Sequence, residues 1–203
     1  MKTTIFKKEE ISIVKKWIKE GKVIAFPTDT VFGLGVTYNN EEALKNLKEA
    51  KLRDGNKPIP TMVKSLEQLK KIAYTDERVE CLAKHFMPGA LTLILKRKES
   101  VPAYVSDYKD TIALRIPDDE FVLSLLEEPM LVTSANLSGE TPGKDEQAVL
   151  VQLEGRIDAI VEGEAKKEKP STIVDLSSDK VVILRVGEIS AEAIERVLIG
   201  EIK

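Results

Sequence analysis

Val23-Ile-Ala-Phe-Pro-Thr-Asp-Thr-Val-Phe-Gly-Leu-Gly35 is the stretch on which the reading of the fold turns. Four apolar residues ending at Phe26 have the pattern of a short buried strand, and Pro27 cannot continue a hydrogen-bonded ladder. The strand therefore delivers Thr28, Asp29 and Thr30 to the rim of a sheet. Gly33 and Gly35, without Cβ atoms, let the backbone turn sharply there or lie close to something else. Alone, the stretch serves equally well as a structural strand and turn. Its meaning depends on what the rest of the chain brings beside it.

Working outward, residues 9–20 place Ile11, Val14, Trp17 and Ile18 on one helical face, and Gly21 ends that helix before the strand. Downstream, Asn40 caps a helix with Ala43, Leu44, Leu47 and Ala50 on its apolar face. Residues 59–63 read as a strand with Pro60 at its edge or start. Ser65 and Gln68 form a capping box for a helix through Ile72, and Asp76 caps another carrying Val79, Leu82, Ala83 and Phe86. Pro88-Gly89 breaks the chain before the strand 91–95, in which Thr92 is the one polar member. Strands follow at 111–115, 130–133, 157–161 and 173–176, the last paired with 181–186 as a hairpin; helices are read from Asp118, over 145–153 and from Ser190. Strands and helices alternate, so the class is α/β. Several links are too short for parallel crossovers, which predicts a mixed sheet.

With 203 residues, 42% apolar and 32% charged, the chain has the make-up of one soluble domain. No run approaches the ~20 apolar residues that cross a bilayer, and no apolar segment near Met1 suits a signal peptide, so a cytoplasmic location is expected. The lone cysteine, Cys81, sits among apolar helix residues and reads as a core thiol. His85, the one histidine, reads as structural or surface, because neither a second histidine nor a nearby cysteine accompanies it.

The net charge is −3, yet between Lys45 and Lys71 eight basic residues face three acids. Lys45, Lys48, Lys70 and Lys71 suit solvated helix faces, whereas Lys51, Arg53 and Lys57 fall in a loop between helices. Strand ends at Thr28 to Thr30, Arg115, Ser134 to Asn136 and Ser171, with Arg185 inside a strand, give polar groups that gather in one crevice. Five cations there predict an anionic ligand, such as a nucleotide with an acid beside it. Gly33-Leu-Gly35 is not a P-loop and lacks the third glycine of a dinucleotide fingerprint, and no Ser/His/Asp set is present. Chemistry would rest on positioning and charge.

Taken together, Pro27-Thr-Asp-Thr-Val-Phe-Gly-Leu-Gly35, Lys51-Leu-Arg53 with Lys57-Pro58, Pro88-Gly-Ala-Leu-Thr92, Arg115-Ile-Pro117, Thr133-Ser-Ala-Asn-Leu-Ser-Gly139 and Pro170-Ser-Thr-Ile-Val-Asp175 resemble the YrdC-like threonylcarbamoyl-AMP synthases. The blocks run in family order over about residues 10 to 198. The resemblance implies a single YrdC-like domain over residues 1–203, in the short form without an extra C-terminal domain. Its fold would be a twisted mixed sheet with flanking helices and a positively charged concave crevice. It also implies a nucleotidyltransferase making threonylcarbamoyl-AMP and pyrophosphate from L-threonine, bicarbonate or CO2 and ATP, with Mg2+ carried by ATP, for the t6A modification of tRNA. Downstream threonylcarbamoyl transferase proteins would be partners.

By matching positions, the family pattern puts Thr30, Met62, Arg115, Val132 and Ser171 around threonine. It puts Lys51, Arg53, Lys57, Thr111, Ser134, Asn136, Pro142 and Arg185 around ATP, with Lys51 and Arg53 catalytic. Metal ligands are unassigned. Phe32 stands where tyrosine is common and Met62 where some members have histidine; residues 166–170 are read as a lid over ATP. The alternative reading is a module that binds double-stranded RNA or a ribosomal precursor without turnover.

Overall fold

Residues 2–53, 58–166 and 169–200 are described in the computed structural model. In chain order the elements are β1 Thr4–Phe6, α1 Ile11–Lys19, β2 Ile24–Phe26, β3 Gly33–Thr37, α2 Glu41–Ala50, β4 Thr61–Met62, α3 Leu66–Ile72 and α4 Glu77–Phe86. They continue with β5 Leu91–Lys96, β6 Thr111–Arg115, α5 Glu120–Leu125, β7 Met130–Ser134, α6 Glu146–Leu153, β8 Ala159–Val161, β9 Thr172–Asp175, β10 Val182–Arg185 and α7 Ala191–Leu198. The ten strands form one sheet in the order β1-β8-β2-β3-β7-β4-β6-β5-β9-β10. Pairing is mixed, as expected: β1/β8, β2/β8, β4/β6 and β5/β9 run parallel, and the remaining neighbours antiparallel.

Helix starts follow the capping residues. Asn40, Ser65, Asp76 and Ser190 each accept a backbone N–H at the start of α2, α3, α4 and α7. The same is true of Asp119 at α5, one residue beyond the predicted Asp118, and of Asp145 at α6. No helix among the described residues is long and apolar enough to cross a membrane.

The middle of the sheet is buried on both faces, as the alternation in β2 shows. Ala25 packs into a large core with residues of α2, α3, α4, α6 and α7, while Ile24 and Phe26 pack into a smaller core with α1 and α5. The predicted strand at residues 23–26 is therefore fully buried. Two helices cannot cover a whole face of ten strands. Met62 and Val132 belong to the smaller core and also line a cavity, so the cavity opens where that core ends.

Gly33 and Gly35 do not make a turn; they lie in β3, antiparallel to β2 and β7. Their role is close approach. A Cβ at Gly33 would stand 3.0 Å from Thr28 Cγ2 and 3.2 Å from Phe26 Cε2; one at Gly35 would stand 3.0 Å from Phe26 and Met130 Cε. The missing side chains make room for the Phe26 ring. The strand read at residues 59–63 is reduced to β4, two residues long, and the predicted hairpin forms as β9 and β10 at the sheet edge.

Candidate functional site

The cavity has a volume of about 410 Å³, and its walls come from segments far apart in sequence. Thr28, Thr30 and Gly33 come from the opening stretch, Arg53 from the turn after α2, and Met62 from β4. Thr92, Arg115 and Val132 come from three further strands, Ser134, Asn136 and Pro142 from the end of β7 and its loop, and Ser171 and Arg185 from the last hairpin. Gathering at strand ends is the expected behaviour of these polar groups. A larger hollow of about 720 Å³ lies against α3 and α4 around Leu66, Cys81 and Met87. It contains no arginine, so the smaller cavity with three is the candidate site.

Arg115 closes β6 and is 5% exposed. Its Nε donates to Gly89 O at 3.0 Å, NH1 to Thr30 Oγ1 at 2.8 Å, and NH2 to both carboxylate oxygens of Asp29 at 2.7 Å. Burial lowers its pKa, and the adjacent Asp29 carboxylate works against that; arginine stays charged in either case. Thr28 supports this end of the cavity through a local turn. Its Oγ1 donates to Val31 O and accepts the Thr30 N–H.

A second polar group forms across β5 and β9. Thr92 Oγ1 lies 2.8 Å from Ser171 Oγ, and Arg185 donates through Nε and NH2 to Ser171 O and through NH2 to Ser171 Oγ. Burial, with the charge of Arg115 adding to it, lowers the Arg185 pKa. Thr92 reaches the cavity because Leu91, Leu93 and Leu95 occupy the opposite face of β5, in the large core.

Lys51 lies behind the wall and is not among the lining residues. It caps α2, is 1% exposed, and its Nζ donates to Ser134 O at 2.5 Å, Asn136 O at 2.6 Å and Asn136 Oδ1 at 3.4 Å. Asn136 in turn donates to Leu137 O and Glu140 O. The ammonium thus fixes the turn that carries two lining residues. Burial, and secondly the charge of Arg53, lower the Lys51 pKa to about 8. The chain then reverses through Leu52, whose φ of +52° allows Arg53 N–H to reach back to Lys48 O. Arg53 lines the cavity and donates to Pro58 O at 3.2 Å.

Of the expected threonine set, Thr30, Met62, Arg115, Val132 and Ser171 all line the cavity. Of the expected ATP set, Arg53, Ser134, Asn136, Pro142 and Arg185 do so. Thr111 does not: it begins β6, four residues before Arg115, and at roughly 3.3 Å per residue lies about 13 Å along the strand. Lys57 lies outside the described residues. Phe32 is 0% exposed in the large core, so an added hydroxyl there would face packing rather than the cavity. Of the segment read as a lid, Lys166 donates its N–H to Thr28 O and pairs with Asp119 at 3.1 Å, and Pro170 lines the cavity; residues 167 and 168 lie outside the described residues.

The site reading missed Thr92, and it set Asp29 at the rim of the crevice without giving it a role. The lone polar residue in an apolar strand was the available signal for Thr92, whereas nothing local connects Asp29 with Arg115. His85 stays structural, with Nδ1 2.8 Å from Cys81 O, and Cys81 Sγ contacts Val197 O at 3.5 Å.

Comparison with known proteins identifies the family. A family model described as telomere recombination (Sua5, YciO and YrdC) matches residues 16–187. A Pyrococcus abyssi protein named threonylcarbamoyl-AMP synthase is 40% identical over 96% of this chain, which spans 58% of that protein's length. A Methanocaldococcus jannaschii protein named putative threonylcarbamoyl-AMP synthase is 32% identical over 94% of this chain and 91% of its own length. The crystal structure of P. abyssi Sua5 complexed with L-threonine superposes with a TM-score of 0.92 at 39% identity, covering 99% of this chain and 62% of that one. With 172 consecutive residues matched and the fold shared, the chain belongs to the Sua5/YciO/YrdC family.

Proposed function

We propose that the chain is an L-threonylcarbamoyladenylate synthase, a nucleotidyltransferase that forms threonylcarbamoyl-AMP and pyrophosphate from L-threonine, bicarbonate or CO2 and ATP. The observation that carries this reading is the convergence, in one cavity, of Thr30, Arg115 and Ser171 with Arg53, Ser134, Asn136 and Arg185. The first group suits a small hydroxy amino acid beside the apolar Met62 and Val132; the second suits a nucleotide. The P. abyssi relative bound to L-threonine supports the first assignment.

In this reading the carbamate oxygen of N-carboxythreonine attacks the α-phosphorus, and the bond from that phosphorus to the bridging oxygen of pyrophosphate breaks. Arg53 and Arg185 stabilise the charge that develops on the phosphoryl oxygens and the leaving group. Lys51 contributes by holding the Ser134–Asn136 turn and by its charge behind it. Among the described residues no cluster of three or more His, Cys, Asp or Glu side chains could hold a metal. Mg2+ would be carried by the nucleotide, where it would neutralise phosphate charge. The product would serve t6A modification of tRNA in the cytoplasm, through a separate transferase protein.

The test is pyrophosphate release with bicarbonate and ATP present and L-threonine omitted, included or replaced by L-serine. Release is expected to depend on the amino acid and to be fastest with threonine. Equal rates in all three would refute the assignment, and salt-sensitive RNA binding without turnover would favour the binding-module reading.

A further inference from the structure

Arg115 makes four hydrogen bonds in the wall of the cavity, and its chief partner is a carboxylate that no role has yet absorbed. Asp29 is 6% exposed, and Arg115 NH2 sits equidistant from its two oxygens. With Nε on Gly89 O and NH1 on Thr30 Oγ1, three protein acceptors fix the plane of the guanidinium. The donors left for a ligand are few, and their direction is set before any ligand arrives.

The pair is also neutral as a unit. Arg185 differs: among the described residues it has no carboxylate within ion-pair distance, its partners being the carbonyl and hydroxyl of Ser171. The charge of Arg115 is felt at Arg185, so the two cations are neighbours in one field. An uncompensated Arg115 beside Arg185 would attract any anion, including the phosphates of a nucleotide or free pyrophosphate. A carboxylate next to one of the two leaves the other as the net charge and makes that end less favourable for a highly charged phosphate.

We propose that Asp29 is a positioning residue for the amino-acid carboxylate: it locks the Arg115 guanidinium in one orientation and offsets part of its charge. Arg115 then recognises the carboxylate by direction while Arg185 supplies the attraction. The proposal rests on the synthase reading for the identity of the amino acid. Asp29 contacts Arg115 and need not touch the reacting atoms.

The test is calorimetric titration of the full chain with L-threonine and, separately, with inorganic pyrophosphate. Wild type, Asp29→Asn, Arg115→Gln and the double variant would be compared. Asp29→Asn is expected to weaken threonine about tenfold or more and to tighten pyrophosphate several-fold, since it frees a positive charge. In the Arg115→Gln background the same substitution is expected to change threonine affinity by no more than about twofold, since no guanidinium is left to orient.

Threonine affinity unchanged in Asp29→Asn would overturn the proposal. An equal loss in the Arg115→Gln background, or a fall in pyrophosphate affinity alongside threonine, would overturn it too, because a general loss of structure moves both ligands the same way. Should Asp29→Asn fail to fold, Asp29→Glu keeps the charge and displaces the carboxylate; threonine should weaken while pyrophosphate holds, and unchanged threonine binding would refute the locking role. If wild type binds no L-threonine, the synthase reading fails, and the pyrophosphate titrations still decide whether Asp29 screens Arg115.

Discussion

On the synthase reading, nucleotide binding should take up protons above neutral pH, and Lys51 should be the group that takes them. Its ammonium is 1% exposed, and burial, reinforced by Arg53, lowers its pKa from the ordinary 10.5 to about 8. At pH 8 about half of the ligand-free molecules therefore carry a neutral Lys51. A polyanion seated on the Ser134–Asn136 wall favours the charged form. If binding restores an ordinary pKa, uptake is about 0.1 proton at pH 7, about 0.5 at pH 8 and about 0.9 at pH 9.

Stability of the ligand-free protein follows the same linkage. Between about 8 and 10.5 the unfolded chain binds more protons at this site, so the penalty for burying the cation is fully present below pH 8 and is relieved as the pH rises toward 10.5. The span corresponds to about 3 kcal/mol at most. Titrations with a non-hydrolysable ATP analogue in two buffers of different ionisation enthalpy, repeated at pH 7, 8 and 9, give the proton count directly. Uptake that is flat across this range, or that persists in Lys51→Met, would refute the reasoning.

Two further predictions concern the scaffold. Gly35→Ala should destabilise the protein by about 1–3 kcal/mol, because the added Cβ would stand 3.0 Å from Phe26 and Met130 Cε in a packed core; a chemical-denaturation midpoint equal to wild type would contradict this. Leu52→Gly should leave stability unchanged or raise it by about 0.5 kcal/mol, since relief of the left-handed backbone, roughly 1–2 kcal/mol, exceeds the entropy that glycine adds to the unfolded chain. Leu52 is 62% exposed and forfeits little packing, so a clear loss of stability in the same assay would show that the side chain is held by contacts.

Most of the α/β pattern could be read in advance because its signals are local. The caps at Asn40, Ser65, Asp76 and Ser190 bond to N–H groups within a few residues of themselves, whatever the rest of the molecule does. The hairpin of β9 and β10 likewise closes across a short turn. For the site, composition and place in the chain marked Thr30, Arg53, Arg115, Ser134, Asn136, Ser171 and Arg185, which line the cavity, and Lys51, which stands behind its wall.

What the sequence alone determined was thus the succession of elements and the polar residues at their ends, both governed by nearest neighbours along the chain. Only the tertiary structure decided that Gly33 and Gly35 yield space to Phe26 within a strand, that Lys51 turns inward to hold a loop, and that Thr111 stands at the far end of β6. It alone joined Asp29 to Arg115, 86 residues apart. That pairing depends on the order of strands in the sheet, which sets long-range partners through backbone hydrogen bonding and burial, and no periodicity along the chain encodes it.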